Sequence, residues 1–157
     1  VPSPFDCWIV QRSLKTLHIR MERHNFNAYE ISKFLKESNK INAIYYPGLK
    51  RHPNHEVAKK QQLNPSNESV FGGMISIDLG SLSKARKFVK NLQIFTLAES
   101  LGGVESLVCH PATMTHASIP KNVRNNLGIT DGLVRLSVGI EDINDLIEDI
   151  KNSISYI

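Results

Sequence analysis

The densest run of chemically capable side chains lies between Thr96 and Gly132, where regular hydrophobic patterning lapses. It reads Thr96-Leu97-Ala98-Glu99-Ser100-Leu101-Gly102-Gly103-Val104-Glu105-Ser106-Leu107, then Cys109-His110-Pro111-Ala112-Thr113-Met114-Thr115-His116-Ala117-Ser118. A Gly-Gly pair lets the backbone turn tightly or approach a ligand closely, and a plain strand-to-loop corner uses the same freedom. His52, His55, Cys109, His110 and His116 are the side chains that could ligate a metal. No Cys-x-x-Cys or His-Glu-x-x-His frame holds them, so loop and packing roles fit better and no metal site is expected. Serine or cysteine hydrolysis is poorly supported: there is no Gly-x-Ser-x-Gly elbow, and nothing arranges a base beside Cys109. Arg135 is the sharper candidate. In Leu133-Val134-Arg135-Leu136-Ser137-Val138 the residues Val134, Leu136 and Val138 share one face, which leaves Arg135 on the less apolar one with Leu133 and Ser137. A solvated strand arginine meets that pattern. So does a guanidinium fork that binds a carboxylate through two parallel hydrogen bonds.

The elements that must position these residues follow from periodicity. Ser3-Pro4-Phe5-Asp6 reads as a helix start, with a serine N-cap, proline in the first turn and an acid three residues after the cap. No further Pro or Gly occurs until Pro47, so nearly all of the stretch to about Ser38 can be helical. The apolar stripe changes phase around Leu17 to Arg20, which fits two successive helices as well as one. Ile41 to Tyr45 predicts a short strand stopped by Pro47-Gly48, His55 to Gln62 a short helix, and Asn64 to Ser69 a polar loop. Met74 to Leu79 alternates after Gly72-Gly73 and predicts a strand with one buried face. Ser81 or Ser83 caps a helix to about Asn91. Ile94 to Leu97 and Leu133 to Val138 complete the predicted strands. Ile143, Leu146, Ile147, Ile150 and Ile154 recur at helical spacing behind Glu141-Asp142, acids that suit a helix N-terminus. Few strands among several helices predict an α+β fold: a small, mostly antiparallel sheet of about four strands, covered by helices on one face.

Composition bounds the rest. The 157 residues are 41% hydrophobic and 22% charged, ordinary for a folded globular domain and too apolar for a disordered chain. Net charge is +4, with basic residues scattered over the first two-thirds and an acidic end at Glu141, Asp142, Asp145, Glu148 and Asp149. Aromatics are only 7% and no RNA-recognition consensus occurs, so scattered solvated lysines explain the charge better than nucleic-acid binding. No apolar run approaches the ~20 residues of a membrane helix, so no membrane partner is expected. Two cysteines fit a reducing, cytoplasmic setting. The chain begins at Val1 rather than Met, which suggests a piece of something longer.

Ser100-Leu101-Gly102-Gly103-Val104-Glu105-Ser106-Leu107, His110-Pro111-Ala112, Met114-Thr115-His116-Ala117 and Leu133 through Asp142 together resemble one known family. It is the pyridoxal-phosphate-dependent Cys/Met metabolism enzymes, among them cystathionine γ-lyase, cystathionine γ-synthase, methionine γ-lyase and O-acetylhomoserine sulfhydrylase. The similarity is to their carboxy-terminal domain. Ser3-Pro4-Phe5-Asp6, Leu14 to Leu17, Arg20-Met21-Glu22, Tyr46-Pro47-Gly48-Leu49, His52-Pro53, His55-Glu56 and Phe71-Gly72-Gly73-Met74 follow the family in order, so the resemblance covers nearly the whole chain.

The resemblance implies the small carboxy-terminal domain of a fold-type I enzyme. Residues 1–38 would form a helical linker and interface segment, and 39–157 the substrate-binding α+β domain. Arg135 would grip the substrate α-carboxylate and Thr115 would help place it. Ser100 would lie beside the cofactor-bearing lysine and the substrate, and Glu99 at the mouth where the distal part of the substrate is sorted. The family's Schiff-base lysine stands in a Ser-x-Thr-Lys context that no lysine here has. Pyridoxal 5'-phosphate would therefore be bound by a large domain absent from this chain, which supplies no catalytic residue and is expected to be inactive alone. Partners implied are that large domain, a homotetramer and a small sulfur amino acid substrate. Glu99, Leu17 to Glu22 and Ala117 to Lys121 look most like the γ-lyase type, which converts cystathionine to cysteine, 2-oxobutanoate and ammonia. γ-Synthase or methionine γ-lyase chemistry stays open, as does a non-catalytic assembly or binding module. Apolar residues along the first helix are expected to stay exposed, for packing on the absent part.

Overall fold

Two inward rows of aliphatic side chains set the architecture of the computed structural model, which describes residues 1–157. Strand β2 (Met74–Asp78) lies between β1 (Ala43–Tyr45) and β5 (Leu133–Ser137), and β4 (Leu107–Cys109) then β3 (Thr96–Leu97) follow beyond β5. Ile44, Ile77 and Val134 form one row, and Ile75, Leu136 and Val108 the next. Successive strand residues point to opposite faces, so these rows put every intervening side chain on the other side. All pairings are antiparallel except β3 with β4.

Helices α2 (Leu17–Lys36), α4 (Leu82–Asn91) and α6 (Ile143–Ser155) cover the inward rows. Ala28, Ile31 and Leu35 of α2, Ala85 and Phe88 of α4, and Leu146, Ile150 and Ile154 of α6 close one core with the sheet. Helices α4 and α6 start on side-chain caps, whereas α2 has none. Ser81 accepts the Lys84 N–H for α4, and Asp142 Oδ1 accepts the Asn144 N–H for α6. That bond to the Asn144 backbone holds the Asp142 carboxyl below the usual carboxylate range. Helix α1 (Pro4–Leu14) opens on a reciprocal capping box between Ser3 and Asp6. The phase change in the sequence is a break at Lys15–Thr16, where Arg20 donates from Nη2 to the Ser13 carbonyl at 2.7 Å.

Two elements differ from the sequence expectation. The sheet has five strands rather than about four, because β4 escapes a search for alternation: its three residues are buried on both faces. A short helix α5 (Lys121–Asn126) also forms inside the irregular stretch. Its polar run offers no apolar stripe, and Arg124 holds it instead by donating to the Ile129 carbonyl and to Asp131 Oδ1. Hydrogen bonds from Lys121 and Arg124 keep the Asp131 carboxyl below its ordinary range. Helix α3 (His55–Gln61) sits where predicted, with the His55 ring stacked on Phe71 at 5.4 Å.

Candidate functional site

The row Tyr45–Ser76–Arg135–Cys109 crosses the sheet on the face away from the helices, as the alternation of β5 requires. Arg135 stands at its centre, half-buried, between β2 and β4. Its Nη2 donates to the carbonyl of Glu99 at 2.8 Å and to that of Ser100 at 3.1 Å. Nη1 makes no hydrogen bond within the chain, and Nε is buried with no partner at all. A buried donor left unpaired costs about 1–3 kcal/mol, and an acceptor reaching this face would find Nε and Nη1 free to donate. No acidic side chain pairs with it.

Glu99, Ser100 and Arg135 are thus brought together, the first two through main-chain oxygens, with both their side chains exposed to solvent. Thr115 is not joined to Arg135 by a hydrogen bond. It lies on the exposed turn after the 3-10 segment Pro111–Thr113, its Oγ1 2.8 Å from Nδ1 of His116.

The loop carrying Glu99 and Ser100 is held by residues that sequence reasoning passed over. Gly102 donates its N–H to Ser137 Oγ at 2.8 Å. Ser106 donates from both its backbone N and its hydroxyl to the Glu141 carboxylate, at 2.7 and 2.9 Å, while its Oγ accepts the Gly139 N–H. Behind them α2 grips the strand's continuation: Asn27 Nδ2 donates to the carbonyls of Gly139 and Glu141, and His24 Nδ1 donates to that of Val138 at 2.6 Å. Gly73 packs closely there: a Cβ would lie 3.1 Å from the Val138 oxygen and 3.2 Å from His24 Cβ. A serine two residues from Arg135 on the same face was the one signal of this scaffold in the sequence.

The histidines take separate structural posts. A carbonyl only accepts, so His110 Nε2 donates to Asp131 O at 2.9 Å; in the neutral ring Nδ1 then accepts from the Thr113 hydroxyl. His55 Nδ1 donates to the Pro47 carbonyl. Both cysteines are free, Cys7 exposed and Cys109 buried beside Arg135. No helix is long and apolar enough to cross a membrane.

The chain is similar to known proteins over nearly its whole length. The chain is 56% identical over 154 residues to a cystathionine β-lyase of Lactococcus lactis, a match covering 98% of the chain and 39% of that protein. It is 52% identical over 155 residues to the cystathionine γ-lyase of Dictyostelium discoideum, covering 98% and 38%. A crystal structure of cystathionine γ-synthase from Xanthomonas oryzae pv. oryzae, in complex with cystathionine, superposes with a TM-score of 0.89 at 44% identity, over 99% of the chain and 39% of that one. The chain thus spans about two-fifths of the length of the relatives it matches. The family profile described as Cys/Met metabolism PLP-dependent enzyme matches residues 1–155. With that span and those identities, the chain belongs to the Cys/Met metabolism PLP-dependent enzymes.

Proposed function

We propose that this chain is the carboxy-terminal, substrate-positioning domain of a trans-sulfuration lyase, in which Arg135 grips the α-carboxylate of a sulfur amino acid. The observation that carries this is the donor set of Arg135: Nη2 is fixed by two carbonyls, and the remaining N–H groups are unpaired, one of them buried. Held in that way, the planar fork presents charge with its orientation already chosen, which is what a carboxylate ligand needs. Pinning the carboxylate fixes the rotation of the substrate about its Cα and so selects which bond reacts. Glu99 and Ser100 would meet the substrate with their exposed side chains, Glu99 toward its distal end, and Thr115 would help place Arg135.

The residues present do not fit pyridoxal phosphate itself. Every lysine of the chain lies on a helix or a connecting loop, and none on the sheet face that carries Arg135. The cofactor and its Schiff-base lysine belong in this reading to a preceding large domain, where the cofactor supplies the electron sink for lyase chemistry. The exposed apolar residues Phe5, Trp8, Ile9, Val10 and Leu14 of α1 support an interface segment that packs on that domain or on a neighbouring subunit of a tetramer. A cytoplasmic setting belongs to the same reading.

The reaction we favour is the γ-lyase one, cystathionine to cysteine, 2-oxobutanoate and ammonia, on the strength of the segments around Glu99, Leu17 to Glu22 and Ala117 to Lys121. A β-elimination reading draws on the 56% identity to proteins named cystathionine β-lyase. The products separate them, because breaking Cγ–S yields cysteine and 2-oxobutanoate while breaking Cβ–S yields homocysteine and pyruvate. In the full-length enzyme Arg135→Ala is expected to lower kcat/KM by about a hundredfold or more, since one partner of a charged, hydrogen-bonded pair is removed. Arg135→Lys, which keeps the charge without the fork, should recover only part of it. An unchanged KM and rate in Arg135→Ala would end the carboxylate reading.

A further inference from the structure

The geometry points to Ser137 as a positioning residue that sets the guanidinium of Arg135 through the Ser100–Gly102 turn; this rests on the carboxylate role of Arg135 proposed above. Strand β5 contributes both ends of a closed clasp. Arg135 reaches forward to the carbonyls of Glu99 and Ser100. Two residues along the same face, Ser137 reaches the N–H of Gly102. The covalent path Ser100-Leu101-Gly102 closes one side and Arg135-Leu136-Ser137 the other.

That clasp matters because little else holds the turn. At one end Ala98 donates its N–H to the Val108 carbonyl, and at the other the Val104 carbonyl accepts the N–H of Ile140. Between them, residues 99–103 are tied to the rest of the chain by hydrogen bonds only at the two carbonyls used by Arg135 and at the Gly102 N–H. Gly102 sits at φ +79° with open space where a Cβ would be, so backbone conformation rather than crowding selects glycine there. A turn this loosely tied keeps its carbonyls in place only if that N–H is held. Ser137 is 2% exposed, so the hydroxyl is itself fixed by packing and meets the N–H without competition from bulk water. Without it, the Glu99 and Ser100 oxygens drift and the fork they orient drifts with them.

The test is a double-mutant cycle in the full-length, cofactor-loaded enzyme, with KM and kcat for cystathionine measured alongside thermal unfolding. Ser137→Ala should raise KM about tenfold, the worth of one lost hydrogen bond at the upper end of the usual range, with kcat changing less and the unfolding temperature nearly unmoved. Ser137→Thr, which keeps a hydroxyl, should restore most of the KM. In an Arg135→Ala background, Ser137→Ala should add almost nothing, because its effect passes through the guanidinium. If Arg135→Ala is damaging while Ser137→Ala is silent, or if the two losses simply multiply, the positioning role is wrong and the carboxylate role survives. An unaffected Arg135→Ala enzyme overturns both.

Discussion

Helices α1 and α6 begin almost alike and end up in opposite circumstances. Each opens on a side-chain oxygen accepting a backbone N–H, Ser3 from Asp6 and Asp142 from Asn144, and each carries an acid in its first turn. Yet α6 buries Leu146, Ile150 and Ile154 against the sheet, while α1 buries no residue and leaves Trp8 57% exposed. Local signals therefore specify where a helix starts and say nothing of whether it has a partner. An isolated helix as short as α1 is marginal in water, and its capping box is the local support it has. The last segment is built into the interior, and the first leaves its apolar side chains in solvent.

That contrast can be broken or sharpened by substitution. Ile150→Ala opens a cavity in the core and should lower unfolding free energy by about 2–5 kcal/mol, measured by denaturant titration. Ser3→Ala removes the acceptor of the α1 capping box and should cost about 1 kcal/mol of local helix stability. Hydrogen exchange across residues 4–14 would report this without a matching change in the global transition. For Asp142 the cap is titratable. Its folded pKa lies below the ordinary value, so the stabilisation is complete above the normal carboxylate range and is lost as pH falls through the lowered value. Asp142→Asn should flatten that part of the acid limb, seen as a smaller drop in melting temperature below about pH 4. Smallest of all, Trp8→Ala should change the unfolding of this chain by less than about 0.5 kcal/mol. A loss comparable to that of Ile150→Ala would mean that α1 packs on its own domain after all.

The same division explains what the sequence could and could not reveal. Strands β2 and β5 are legible because alternation exposes one face, and the same alternation puts Arg135 on the side away from the helices. The boundary between α1 and α2 was visible as a phase shift. Strand β4 was not, since residues buried on both faces look like any short apolar run. The partners of Arg135 were illegible for a different cause. Its contacts are main-chain carbonyls of Glu99 and Ser100, some 35 residues away in sequence, and a carbonyl leaves no trace in residue type. Asp149 is similar: its carboxylate accepts the N–H groups of Gln93, Ile94 and Phe95, though in the sequence it is one more acid on an acidic helix. The placement of Thr115 came from family likeness alone, and its hydroxyl lies beside His116.

The two outer strands, finally, bear on how the chain behaves in crowded solution. Strand β3 contributes two residues to its edge of the sheet and β1 three, with Pro47 soon after. Edges this short offer almost no ladder of free amide groups for a foreign strand to pair with, and so blunt the usual route to edge-to-edge aggregation. The apolar surface that the chain does leave in solvent lies on α1, at Phe5, Trp8, Val10 and Leu14. That surface is made of side chains and not of free backbone amides, so it offers no strand register for a second chain to extend.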